Sequence, residues 1–119
     1  MNVLIVERDE LVAEVLATAL KEEGIEAVIV DDDKRALEAC EPAAPQVVIT
    51  SINRRREDMA GLVLVHAMRR RCPLLRVIYM AAIWPAQLHR CALGVRDRFV
   101  SKPVPLGKLV RTVRELLPA

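Results

Sequence analysis

Solid apolar runs alternate along this chain with stretches in which apolar residues recur every three or four positions. The first run, NVLIV (Asn2 to Val6), has the pattern of a strand buried on both faces. Leu11, Val12, Val15, Leu16, Ala19 and Leu20 follow at helical spacing, and Gly24 stands where a helix would be capped. AVIV (Ala27 to Val30) predicts a second strand. The three aspartates after it favour a helix start, because carboxylates are stabilised at helix N-termini, and a short helix through Ala36, Leu37 and Cys40 must end before Pro42. VVIT (Val47 to Thr50) predicts a third strand and Leu62 to Arg71 a third helix that stops before Pro73. RVIYM (Arg76 to Met80) reads as the fourth strand. Pro85 suits the first turn of a fourth helix ending at Gly94, RFV (Arg98 to Val100) is the fifth strand, and Leu106, Leu109, Val110, Val113, Leu116 and Leu117 mark a last helix.

Five βα units in this order, with no repeat, linker or low-complexity tract, predict a single domain over residues 1–119. Strands that are apolar on both faces and alternate with helices imply a parallel sheet covered on both sides. Ligands of such sheets sit beyond the carboxyl ends of the strands, which directs attention to the loops after Val6, Thr50, Met80 and Val100.

Composition changes this picture little. With 53% hydrophobic but only 3% aromatic residues, the single core must be built from Val, Leu, Ile and Ala. Cys40, Cys72 and Cys91 are scattered without CxxC spacing, which argues against a disulfide framework or a structural zinc site and for ordinary thiols. No apolar run approaches the ~20 residues that span a bilayer, and the N-terminus lacks a basic leader, so a cytoplasmic protein with no membrane partner is expected. Charge is divided unevenly. Up to Thr50 there are 12 Asp and Glu against 4 Lys and Arg; from Ser51 onward there are 4 against 14. Such a dipole marks an anionic partner, self-association, or a surface with no partner at all.

The four loops read ERDE, SINRRRED, AAIWP and SKP. Together with PxVVIxxIN in the third strand and FVSKP before the last amphipathic helix, they make the whole chain resemble the receiver domain of bacterial response regulators, the CheY-like proteins of two-component phosphorelays. The resemblance implies a flavodoxin-like, doubly wound sheet of five parallel strands, ordered 2-1-3-4-5, with five helices. It also implies where chemistry would lie. In that family two acidic residues after the first strand and an aspartate closing the third hold Mg²⁺, and the aspartate accepts a phosphoryl group from a histidine kinase. A carboxylate can form the acyl phosphate, and the metal offsets charge on the transferring oxygens.

This chain departs from that pattern at several positions. Glu7 matches the first acidic position, Arg8 falls on the second with Asp9 beside it, and Ser51 falls on the phosphoacceptor. Asn53 would lend only a backbone carbonyl. Ala81 replaces the Thr or Ser that contacts the phosphoryl group, Phe99 occupies the switch-aromatic position, and Lys102 is kept with Pro103, a bond commonly cis in receivers. A fixed cation at Arg8 and a missing carboxylate at Ser51 leave no Mg²⁺ site. No metal, cofactor or catalytic residue is therefore expected, and Arg8 or Lys102 should lie within ion-pair reach of Glu7 or Asp9. No histidine neighbours Ser51 in sequence to activate it, since His66 and His89 fall on helices.

The expected function is that of a pseudo-receiver: not an enzyme, but a signalling domain working through phosphorylation-independent protein contact or homodimerisation. Family precedent places the contact on the fourth helix, fifth strand and last helix, here Gln87, Arg90, Arg98, Lys108, Arg111 and Glu115. Two alternatives stay open: a phosphorylatable receiver using Asp58 or Asp9, and a nucleic-acid- or anion-binding module built on the Arg-rich second half. Arg54, Arg55 and Arg56 fit the latter better than Arg69, Arg70 and Arg71, whose place in a last helical turn suits the helix dipole. The aromatics needed for base stacking are nearly absent, with Tyr79, Trp84 and Phe99 the whole supply, so nucleic acid is the weaker partner.

Overall fold

A computed structural model describes residues 2–52, 59–82 and 93–118 of the chain. The strands are β1 (Val3–Val6), β2 (Ala27–Val30), β3 (Val47–Ser51), β4 (Arg76–Ala81) and β5 (Asp97–Ser101). They pair in parallel in the order β2-β1-β3-β4-β5, with Val3 opposite both Ala27 and Val47, and Ser51 opposite Met80. The helices are α1 (Glu10–Glu22), α2 (Asp33–Glu38), α3 (Ala60–Arg69) and α4 (Leu106–Leu116). These are four among the described residues where five were expected. The missing one falls on residues outside those described, although its expected end, Leu93 and Gly94, is not helical. No helix among the described residues is long and apolar enough to cross a membrane.

Apolar side chains of the sheet divide by strand periodicity between two cores. Val3, Ile5, Val47, Ile49, Ile78, Met80 and Val100 meet α1 and α4 through Leu16, Leu20, Leu109 and Val113; Leu4, Val6, Val48, Val77 and Tyr79 meet α2 and α3 through Ala36, Leu64, Val65 and Met68. Two expectations fail on exposure. β2 is not buried on both faces: it is an edge strand, and Val28 and Ile29 remain exposed because no strand among the described residues pairs beyond it. On α1 the buried residues are Ala13, Leu16 and Leu20, whereas Leu11, Val12 and Val15 face outward.

Local signals account for the helix starts. Asp32 caps α2 by accepting from the Arg35 N–H at 2.7 Å, and Asp9 caps α1 by accepting from Leu11 and Val12. α3 begins differently, after Met59 in the left-handed region at φ 65°, and Gly61 donates to the Ile52 carbonyl at 2.7 Å. A side chain at position 61 would collide with the Ser51 carbonyl, so only glycine lets α3 approach the end of β3 this closely.

Candidate functional site

Parallel pairing brings the ends of β1, β3, β4 and β5 to one edge of the molecule, and with them Glu7, Ser51, Ala81 and Lys102. The Ser51 hydroxyl donates to Glu7 Oε2 at 2.9 Å and accepts from Lys102 Nζ at 2.8 Å. Lys102 Nζ lies 3.8 Å from the same Glu7 oxygen. Three residues separated by 44 and 51 positions thus form one hydrogen-bonded row. Ser51 and Glu7 are buried and Lys102 is half-buried.

The backbone sets this geometry. Lys102 N–H donates to the Ala81 carbonyl at 2.8 Å, continuing the ladder past β5, and the Lys102–Pro103 bond is cis. The Ile52 N–H donates to Met80, which holds the chain in sheet register just past Ser51. The other Glu7 oxygen accepts from the Asp9 N–H at 3.2 Å.

Of the three residues expected to form an acidic corner, only Glu7 joins the row. Arg8 is exposed, and the Asp9 carboxylate is turned to the start of α1, a use that its place just before a helical run could have revealed. The expected ion pair therefore forms through Lys102. Since the ammonium is more than a third exposed, the pair is worth at most about 1 kcal/mol. This donor set does not suit a hard divalent cation: the Glu7 oxygen facing the row is already committed to a hydroxyl and an ammonium, and no second carboxylate among the described residues joins it there. Among the described residues no group of three or more His, Cys, Asp or Glu is placed to hold a metal ion.

Ala81 is buried and brings no hydroxyl to the site. Phe99 is half-buried against the core cluster that contains Ala81 and Tyr79. On the face formed by β5 and α4, Lys108, Arg111 and Glu115 are exposed, and Arg98 Nε lies 3.8 Å from Glu115 Oε2. Gln87 and Arg90, the remaining residues expected on that face, lie outside the described residues, as do Asn53, Arg54, Arg55, Arg56, Asp58, Trp84 and His89. His66 is exposed on α3.

At the opposite end of the sheet Arg69 is structural, as its helical position suggested. Its Nη2 contacts Asp97 Oδ1 at 2.6 Å and donates to the Leu75 carbonyl at 2.8 Å, while Asp97 Oδ2 accepts from the Gly94 N–H. This buried carboxylate, invisible to motif reasoning, ties α3 to the start of β5. Burial above all, with Asp97 adding to it against the opposing effect of Arg69, pushes the Tyr79 phenol up to about 12.

Comparison with known proteins agrees with this architecture. The chain is 29% identical over 118 residues to the probable transcriptional regulatory protein TcrX of Mycobacterium tuberculosis, covering 98% of this chain and 50% of TcrX. It is 27% identical over 112 residues to a putative response regulator NtrX-like protein of Rickettsia bellii, covering 92% of this chain and 23% of the relative. The chain thus spans about half, or less, of the length of the curated relatives it matches. Among solved structures, the receiver domain of nitrogen regulatory protein C superposes with a TM-score of 0.80 at 26% identity, over 97% of this chain and 92% of that one. Chemotaxis protein CheY4 of Vibrio cholerae superposes at 0.82 over 98% of both chains, and at 21% identity it attests the fold alone. Residues 3–114 match the response regulator receiver domain, and the chain belongs to that family.

Proposed function

We propose that this receiver domain works without phosphoryl transfer, as a protein-binding module held in one conformation. The observation that carries this reading is the row Lys102–Ser51–Glu7. Where the family pattern calls for an acidic phosphoacceptor, a serine hydroxyl has its proton donated to Glu7 and a lone pair engaged by Lys102. Serine at this position has no strong base beside it: Glu7 is a weak base toward an alcohol, and Lys102 approaches as a donor. With Ala81 there is also no hydroxyl to be drawn toward a phosphoryl group. A ligand shifts a two-state equilibrium only by its differential affinity, so a site that gains no ligand moves no equilibrium. Of the carboxylates that could substitute as acceptors, Asp9 is engaged in capping α1.

On this reading the domain is not an enzyme, needs no cofactor, and presents the β5–α4 face around Arg98, Lys108, Arg111 and Glu115 constitutively to a protein partner or a second copy. The test is incubation with acetyl phosphate, or with beryllofluoride, in the presence of Mg²⁺, followed by intact mass and amide NMR. No mass increase and no shifts at Glu7, Ser51, Ala81 or Lys102 are expected. Stoichiometric Mg²⁺-dependent phosphorylation, or beryllofluoride shifts centred on those residues, overturns the proposal. The triple variant Arg8→Asp, Ser51→Asp, Ala81→Thr is expected to respond where the original chain does not.

A further inference from the structure

Two of the three cysteines dismissed by their sequence spacing, Cys40 and Cys72, are not independent in the fold. Cys40 follows the end of α2 and Cys72 the turn after α3, and their Sγ atoms lie 3.3 Å apart. Packing of α2 on α3 closes a separation of 32 residues, and Arg71 fastens the same junction by donating to the Leu37 carbonyl at 3.1 Å. We infer that Cys40 and Cys72 form a reversible intramolecular disulfide when the protein meets a hydroperoxide, so that this junction is an oxidation site.

The two thiols differ in a way that assigns their roles. Cys40 is buried, 6% exposed, and its sulfur lies against the Ala36 carbonyl; Cys72 is partly exposed, with its sulfur also 3.3 Å from the Met68 carbonyl. Burial first, then the hydrogen bond from Cys72, pushes the Cys40 thiol up to about 12, so an oxidant arriving from solvent meets the partly exposed Cys72 rather than a Cys40 thiolate. Cys72, as its thiolate, attacks one peroxide oxygen; the O–O bond breaks, a sulfenic acid forms on Cys72, and hydroxide leaves as water with the proton first lost from the thiol. The Cys40 sulfur then attacks the Cys72 sulfur; the S–O bond breaks and the hydroxyl departs as water with the Cys40 proton. Two thiols and one hydrogen peroxide give one disulfide and two waters. To form the bridge the sulfurs must approach from 3.3 Å to about 2.05 Å.

Both cysteines precede strands, Cys40 before β3 and Cys72 before β4, so the bridge forms at the end of the sheet opposite Glu7, Ser51 and Lys102. It would staple α2 to α3 and leave the site's row intact. The test is graded hydrogen peroxide on the folded chain, followed by alkylation and non-reducing peptide mapping. A Cys40–Cys72 peptide dominating over either pairing with Cys91, with a loss of about 2 Da reversed by dithiothreitol, is expected. That selectivity should disappear in urea. Cys72→Ser should abolish the bridge, and Cys40→Ala should leave Cys72 trapped as a sulfenic acid that dimedone labels. Cys72 passing to sulfinic acid with Cys40 unmodified in the original chain overturns the inference. So does preferential pairing with Cys91, or equal selectivity in folded and unfolded protein.

Discussion

Replacing Ser51 by alanine removes the atom through which Glu7 and Lys102 are joined, and its effect can be worked from the geometry. Two hydrogen bonds to charged groups are lost, at 2.9 Å and 2.8 Å. Each such bond is worth about 1.5–3 kcal/mol when deleted. The Lys102 half is largely recovered, because that ammonium is more than a third exposed and water takes the place of the hydroxyl. The Glu7 half is not, since that residue is only 9% exposed and, among the described residues, the Ser51 hydroxyl is the one hydrogen-bond donor to Oε2. The net cost is therefore about 1.5 kcal/mol, a fall of roughly 5 °C in Tm for a domain of this size. Urea unfolding followed by far-UV circular dichroism checks it, with the midpoint lowered and the slope unchanged. A double-mutant cycle with Lys102→Met isolates the join, and a coupling of about 0.5–1 kcal/mol is expected. If Ser51→Ala is as stable as the original chain, or the two changes are additive within about 0.3 kcal/mol, the row does not hold the site together and the reasoning fails.

Gly61→Ala should destabilise by about 2 kcal/mol despite the better helix propensity of alanine, because the added carbon meets the backbone of Ser51 and Ile52 rather than a movable side chain; calorimetry reporting an unchanged or raised Tm would refute the close approach. Arg69→Met leaves Asp97 buried against one backbone donor, Gly94, and should cost about 3 kcal/mol, with chemical denaturation as the measure and a loss below about 1 kcal/mol as the contrary result. Tyr79 is the only tyrosine, so its ionisation can be followed alone by ultraviolet absorbance, and it should titrate near pH 12 rather than 10 in the folded chain. The folded value is raised, so the associated stability is fully present below pH 10 and is lost between 10 and 12, by about 2–3 kcal/mol; ionisation at pH 10 without unfolding contradicts this.

Much of the architecture was legible from local pattern. β2 begins and ends where the apolar run AVIV does, the other strands extend a residue or so beyond or short of theirs, and α4 carries its predicted apolar stripe inward through Leu109, Val110, Val113 and Leu116. Apolar spacing reports which backbone conformation can bury one face, and that is a property of a dozen consecutive residues. The residues that stand at the strand ends, Arg8, Ser51 and Ala81 among them, were equally visible, because the position after an apolar run is read directly from the sequence.

Exposure and proximity were decided elsewhere. Val28 and Ile29 have the same apolar character as the run in β1, yet they are exposed because sheet order places β2 at an edge, which no property of AVIV encodes. Asp9 follows Glu7 by two positions, but helix formation at Glu10 claims its carboxylate as a cap and keeps it out of the row. Ser51 meets Glu7 and Lys102, and Cys40 meets Cys72, only after parallel crossovers bring strand ends and helix ends into register. The sequence by itself determined which segments become strands and helices and which chemical groups stand at their ends, since those follow from local periodicity. Which of those groups touch was decided by the tertiary structure alone, because side chains 32 to 51 residues apart are brought together only by the packing of the whole sheet.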